Sequence, residues 1–279
     1  MQRSLMNNSP QHIAFIGGGN MASAIIGGLI RQGMKPAQIT VVEPFADTAS
    51  RLQKEFGVTV LPEAGPALGA AQLVVWAVKP QVFKEAATPV AAHTRQALHL
   101  SVAAGIRTSS ICGWLGTNRV VRTMPNTPAL VGQGMTALFA CPGVTAADKA
   151  GVEQVIATTG QFLWVAQESH LDAVTALSGS GPAYVFFFLE AMTEAGVGMG
   201  LSAEQAYKLA VATFSGASSL ATASSEPPEV LRQRVTSKGG TTYAAITSME
   251  GSGIKPAFVK AMQAAEQRAR ELGDEFGKA

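Results

Sequence analysis

The stretch Ile13-Ala-Phe-Ile-Gly-Gly-Gly-Asn-Met-Ala22 decides the fold. Four apolar residues make a buried strand, and the next six follow at once as G-x-G-x-x-A. In that pattern Gly17 permits a tight turn, Gly19 lets the backbone approach a pyrophosphate, and Ala22 keeps the following helix close to the sheet. The helix expected over 20–32 offers unpaired N–H groups and a partial positive charge to phosphates at its start. Any tight strand-to-helix turn can carry such glycines. Here a strand, a helix and a second strand at 39–42 stand in the order a dinucleotide site requires, which favours that reading. Glu43 closes the second strand 26 positions beyond Gly17, near the usual spacing of ~20. A carboxylate there can accept hydrogen bonds from an adenosine ribose and would repel a 2′-phosphate, and no arginine follows until Arg51. Taken alone, this favours NAD over NADP; the plainer alternative is a solvated acidic side chain.

Outward from this point, apolar runs at 12–16, 39–42, 58–60, 73–77, 97–102, 119–122, 134–140 and 162–165 read as strands. Alanine-rich stretches of helical length lie between most of them, at 20–32, 46–56, 82–92, 108–115 and 146–159. That alternation predicts an α/β domain with a doubly wound, mostly parallel sheet. From Ser169 onward helical patterns dominate, at 169–176, 182–199, 203–221, 228–235, 241–250 and 254–276. The expected organisation is an N-terminal tail at 1–10, a dinucleotide-binding domain at 11–167 and an all-α domain at 168–279. The helix at 182–199 is apolar nearly all round, through Tyr184, Val185, Phe186, Phe187, Phe188, Leu189 and Met192. Such a helix calls for burial on every side. About 110 residues of helix can scarcely supply that unaided, whereas two subunits sharing a helical core can.

The composition narrows the function classes. Charged residues make up 14% of the 279-residue chain, against about 25% in a typical protein, a first sign of a large subunit interface. A net charge of +2 is too mild for a nucleic-acid binder, which needs a concentrated basic face. Cys112 and Cys141 are the only cysteines and lack metal-ligand or C-x-x-C spacing; a disulfide between them is open on paper, and free buried thiols in a reducing compartment are the expectation. The four histidines form no H-E-x-x-H, and no metal is expected. The first residues, MQRSLMNNSP, lack the apolar core of a signal peptide. No apolar run reaches the roughly 18 residues of a membrane span. These features point to a soluble, cytoplasmic protein.

Further motifs fall at strand ends. Trp76-Ala-Val-Lys-Pro80 ends the fourth strand, and ligands of doubly wound sheets lie beyond the carboxyl ends of strands, so Val78 and Lys79 are placed near the cofactor. Ser101-Val-Ala-Ala-Gly105 ends the next strand in small residues that leave room for a flat ring, and Met124-Pro-Asn-Thr-Pro128 ends another. In the second half, Leu177-Ser-Gly-Ser-Gly-Pro-Ala-Tyr184 resembles a hydrolase nucleophile turn only superficially. Val235-Thr-Ser-Lys-Gly-Gly-Thr-Thr242 runs into a helix whose N–H groups suit a small carboxylate. A helix cap without a ligand is the alternative there.

These motifs carry a resemblance. FIGGGNMA (15–22), AVKPQ (77–81), VAAG (102–105), RTMPNTPA (122–129), DAVTALSGSGPAYVF (172–186) and VTSKGGTTYAAI (235–246) stand in the order found in the pyrroline-5-carboxylate reductase family. The chain resembles that family over essentially its whole length after the first ten residues. The resemblance implies an N-terminal Rossmann domain, a helical dimerisation domain, and a decamer of five dimers. It implies transfer of a hydride from NADPH or NADH to the C=N carbon of 1-pyrroline-5-carboxylate, giving L-proline. Carried over by position, Ile16, Gly17, Gly18, Gly19, Asn20, Met21, Ala77, Val78, Lys79, Pro80, Val102, Ala103 and Ala104 look like cofactor contacts, beside Glu43. Ser237, Gly240, Thr241 and Thr242 look like the substrate-carboxylate loop, and Glu168 aligns with a further substrate-side position. The Thr242 hydroxyl is the candidate catalytic group, contacting the ring nitrogen. The sequence departs from the family's pattern twice: Glu43 stands where many relatives carry a small or phosphate-tolerant residue, and Arg234 stands where asparagine is common.

Two rival classes remain at this stage. One is a related imine or β-hydroxyacid reductase; alcohol oxidation in that group uses a helix lysine, for which Lys208 is the one interior candidate, with neighbours that do not match. A non-catalytic NAD(P)-binding sensor would have no need of the second loop.

Overall fold

A computed structural model describes residues 10–278. They fall into two compact units, residues 10–180 with 265–278, and Gly181–Ala264. The pattern change near Gln167 lies inside the first unit, ahead of the break after Ser180.

The first unit is built on an eight-stranded sheet in the order β3-β2-β1-β4-β5-β6-β7-β8. Its strands are β1 (Ile13–Ile16), β2 (Ile39–Val42), β3 (Thr59–Leu61), β4 (Leu73–Trp76), β5 (Leu98–Ser101), β6 (Val120–Met124), β7 (Gly134–Ala140) and β8 (Gly160–Trp164). All neighbours pair in parallel except β6 and β7, which are antiparallel. The nine residues between Met124 and Gly134 are too few for a crossover, which needs about a dozen or more, so β7 must return against β6. The helices α1 (Asn20–Arg31), α2 (Ala46–Phe56), α3 (Pro80–Ala91), α4 (Thr108–Leu115) and α5 (Ala146–Ile156) connect the strands, and α6 (His170–Val174) follows β8.

The alternation within β1 divides the core in two. Ile13 and Phe15 join Ile25, Ile26 and Leu29 of α1 in one cluster. Ala14 and Ile16 join Trp76, with Phe83 of α3 and Ile111 of α4, in the other. A sheet covered on both faces needs strands that are apolar at every position, and β1 and β4 are buried throughout. Each fully buried Ile or Phe contributes about 1.5–3 kcal/mol. Trp76 of the second cluster donates through Nε1 to the buried His99 Nδ1 at 3.1 Å, linking β4 and β5. Cys141 belongs to that cluster and Cys112 packs on it, their Sγ atoms 3.7 Å apart; burial and the neighbouring thiol push the Cys112 thiol up to about 12.

The second unit is helical: α7 (Gly181–Gly198), α8 (Ala203–Ala223), α9 (Pro228–Arg234), α10 (Thr241–Gly251) and the first turns of α11 (Ile254–Lys278). Ser202 caps α8, its hydroxyl accepting from Gln205 N–H. Tyr184 and Phe188 of α7 both set ring edges against Phe258 of α11. The all-round burial expected of α7 is not met within one chain: Phe186 is 58% and Phe187 66% exposed. The reason is the supply of partners, since of α7 only Leu189 and Gly196 are buried. Tyr207 and Leu209 of α8 are more than half exposed as well. Among the described residues no helix is long and apolar enough to cross a membrane.

Candidate active site

The strand order reverses between β1 and β4, and there the glycine turn lies. Gly17 sits at φ +90°, and a Cβ on it would stand 2.7 Å from the Ala77 carbonyl oxygen, so both the turn and the close approach of two loops demand glycine. Three backbone bonds hold the strand ends level: Gly17 N–H to Val42 O (2.9 Å), Ala77 N–H to Ile16 O (2.8 Å) and Val102 N–H to Trp76 O (3.0 Å). They draw together the loops after β1, β2, β4 and β5. Gly19 is the N-cap of α1, with no side chain bonding there and open space around its Cβ position. That opening, at a helix start with free N–H groups, fits a pyrophosphate.

Among the residues marked from sequence, Gly19 and Asn20 are exposed at this opening, while Gly17 and Gly18 are buried and Met21 half-buried. Ile16 is 2% exposed, so its side chain belongs to the core and only its backbone borders the loop. Ala77 and Val78 are half-buried, Lys79 is the exposed N-cap of α3, and Pro80 opens that helix. Val102 is half-buried, Ala103 buried and Ala104 exposed.

Glu43 has a more specific position than the sequence reveals. Its side chain is buried, and Oε2 accepts from Gly18 N–H at 2.8 Å while Oε1 accepts from Phe45 N–H at 3.0 Å. The carboxylate thus ties the glycine turn to the end of β2, leaving only its remaining lone pairs for a ribose. Arg51 flanks the same turn from α2, donating to Gly18 O (3.0 Å) and Ser23 Oγ (3.2 Å).

Glu168 is likewise engaged within the first unit. Oε1 accepts from Thr108 N–H (2.7 Å) and from Arg122 Nη1 (2.8 Å), and Oε2 from the Thr108 hydroxyl (2.6 Å). It therefore satisfies the N-terminus of α4 and neutralises an arginine that is almost wholly buried in β6. Asp172 lies 3.9 Å from the same arginine; burial raises its carboxyl above the usual range, partly offset by Arg122. Asn126, from the loop after β6, donates to Ser178 O and Oγ, and a Cβ on Gly179 would strike the Met124 side chain. The motifs MPNTP and SGSG are thereby packed together.

The second unit carries the other loop. Gly239 has φ +76° and Gly240 is the N-cap of α10, with no side chain bonding there. Ser237 and Thr241 are exposed and Thr242 half-buried at this start. Arg234 pairs with Glu226 at 2.5 Å, and the second carboxylate oxygen of Glu226 is buried without a hydrogen-bond partner among the described residues. Sequence reasoning missed both Glu226 and the Arg122–Glu168 link, neither of which lies in a spaced motif. Lys208 is exposed on α8.

A doubly wound sheet with a glycine turn at its switch point, an uncapped helix start beyond it and a helical second unit defines a dinucleotide-dependent oxidoreductase. Residues 168–272 match the family model for pyrroline-5-carboxylate reductase dimerisation, and residues 12–105 match that for coenzyme F420-dependent NADP oxidoreductases. The chain is 44% identical to the pyrroline-5-carboxylate reductase of Pseudomonas aeruginosa, over 97% of this chain and 100% of that one. A solved pyrroline-5-carboxylate reductase from Coxiella burnetii is similar with a TM-score of 0.88 at 39% identity, covering 95% of this chain and 99% of that one. A Plasmodium falciparum pyrroline carboxylate reductase, solved with NADP bound, gives 0.84 at 27% identity, covering 94% and 98%. The chain belongs to the pyrroline-5-carboxylate reductase family.

Proposed function

We propose that this chain reduces the C=N bond of 1-pyrroline-5-carboxylate to give L-proline, using NADPH or NADH. What carries the reading is the agreement with a pyrroline-5-carboxylate reductase along the whole chain, the glycine turn and the Gly239 loop both intact. The NADP-bound Plasmodium relative supports the choice of cofactor. The cofactor supplies the hydride. The residues suited to hold it are Gly17, Gly18, Gly19 and Asn20 at the pyrophosphate, Glu43 at the ribose side, and Val78, Lys79, Val102, Ala103 and Ala104 toward the ring. Ser237, Gly240 and the Thr241 and Thr242 amides suit the substrate carboxylate, and the Thr242 hydroxyl suits the ring nitrogen. A protonated imine is already a strong electrophile, so the protein's work is orientation of the two partners at about 3–3.5 Å. Glu168, on the substrate side by family position, holds the start of α4 at Thr108 and pairs with Arg122.

The assembly belongs to the same reading. The dimerisation-model match and the exposed apolar face of α7 and α8 support a homodimer. We propose that five such dimers form a decamer in the cytoplasm.

The deciding experiment follows NAD(P)H absorbance with purified protein. Oxidation is expected only when pyrroline-5-carboxylate is present, and it should survive EDTA. Activity abolished by EDTA and restored by zinc would sink the metal-free mechanism. Turnover of hydroxyacids in place of the imine would move the chain to a different substrate class.

A further inference from the structure

The last turns of α11 lie against the loop that follows β5, 167 residues away in sequence. Gly105 is buried at φ +75°, and a Cβ on it would stand 3.1 Å from the Phe276 ring and 3.2 Å from Leu272 Cβ. Gly273 makes room in return, since a Cβ there would stand 3.1 Å from Arg107 Nε. Arg107 Nη2 donates to Asp274 Oδ1 at 2.8 Å, and Phe276 packs on the cluster that contains Ala103 and Ile106. The loop is thus held by the Leu272 side chain, an aromatic ring and an ion pair. Glu168 fixes its far end at Thr108.

We propose that the C-terminal turns of α11 set the position of the 102–107 loop for hydride delivery, with Asp274, Arg107 and Phe276 as positioning residues. This rests on the reductase reading above, in which that loop faces the nicotinamide. Reacting groups tolerate little displacement, and a shift of about 1 Å can cost on the order of a hundredfold in rate. The Arg107–Asp274 pair is open to solvent, chiefly at Asp274, so it adds little to global stability. A loss of rate without a matching loss of stability therefore separates positioning from mere support.

The experiment uses full-length Asp274→Asn, Asp274→Glu and Phe276→Ala. It measures kcat and KM for pyrroline-5-carboxylate, NADPH affinity by fluorescence, and amide hydrogen exchange across 102–107. Asp274→Asn should lower kcat about fivefold, leave KM and NADPH affinity within about twofold, and speed exchange in that loop. Asp274→Glu should restore the rate, and Phe276→Ala should lower it further. Unchanged exchange in the loop overturns the proposal, as does faster exchange with unaltered kcat. Asp274→Asn, a surface change, keeps the test decisive if Phe276→Ala fails to fold. A wild-type protein inert toward the imine would instead overturn the reductase reading, and loop exchange with NADPH affinity would still decide whether α11 holds the loop.

Discussion

Gly17 meets two demands at one atom. Its positive φ costs a residue with a Cβ about 1–3 kcal/mol, and the Ala77 carbonyl leaves no room for a Cβ in any case. Gly17→Ala should therefore weaken NAD(P)H binding by at least about tenfold, read by fluorescence titration, because the start of α1 must shift. Glu43 presents a subtler case. A 2′-phosphate brought near its carboxylate would meet a like charge, worth a few kcal/mol near 4 Å before screening, with Arg51 close by to offset it. NADH should serve at least comparably to NADPH. Glu43→Ser should move the ratio of kcat/KM toward NADPH, by about tenfold for each 1.4 kcal/mol recovered. It should also weaken both cofactors, since the Gly18 and Phe45 amides lose their acceptor; Glu43→Gln retains one acceptor oxygen and separates the two effects. An unchanged ratio at two ionic strengths would place the preference elsewhere. At the second loop, Thr242→Ala should lower kcat/KM for the imine by roughly ten- to a hundredfold, the worth of one hydrogen bond to a charged or reacting group, with NAD(P)H binding intact. Wild-type kinetics in that variant would reduce the Gly239 loop to a helix cap.

Strands β4 and β5 carry a titration that the surface hides. Burial pushes His99 down from 6.5 to about 4; a bond to the Thr94 backbone opposes this and Arg119 reinforces it. Nδ1 accepts from Trp76, so a second proton would remove that acceptor as well as place a charge in the core. Between the two values the unfolded chain binds more protons than the folded one. Stability is thus full above pH 6.5 and is lost as pH falls toward 4, by up to about 3 kcal/mol. Urea unfolding at neutral and mildly acidic pH should show this loss in the wild type and a flatter profile in His99→Gln. The elements themselves were largely legible in the sequence. Strand β1 and helix α1 announce themselves through an apolar run, a glycine turn and a helical stripe within twenty residues. The loops at strand ends were legible for the same reason, since β-to-α turns concentrate glycine and proline. The side-chain links were not. Arg122 reads as one more strand residue, and its partner Glu168 stands 46 positions away with no periodicity to connect them. Glu43 was marked as an acid at the end of β2, but sequence could not reveal that the fold turns its carboxylate onto the backbone of Gly18.

At the scale of the whole molecule, the low charged fraction and the exposed rings of α7 describe a surface unsuited to water. Isolated exposed apolar residues are ordinary, whereas Phe186 of α7 and Tyr207 of α8 line one hollow, and Phe187 and Leu209 add further exposed apolar area on the same two helices. Light scattering should find a dimer or larger assembly at all working concentrations, with a ten-subunit mass as the proposed end state. Phe187→Glu should yield smaller species with little activity; a stable, fully active monomer would contradict the shared helical core.

The first unit is not one stretch of chain. Its last segment, 265–278, is separated from the rest of it by Gly181–Ala264. A ribosome makes 5–20 residues per second, so Leu272, the first residue to cover the β5 loop, would follow the end of β8 by roughly 5–22 s. During that interval Gly105 and Ile106 lack their cover. The newborn chain therefore passes through an interval in which a loop at the middle of its sheet is uncovered, and a nascent chain stalled before residue 265 would carry a sheet but no settled loop.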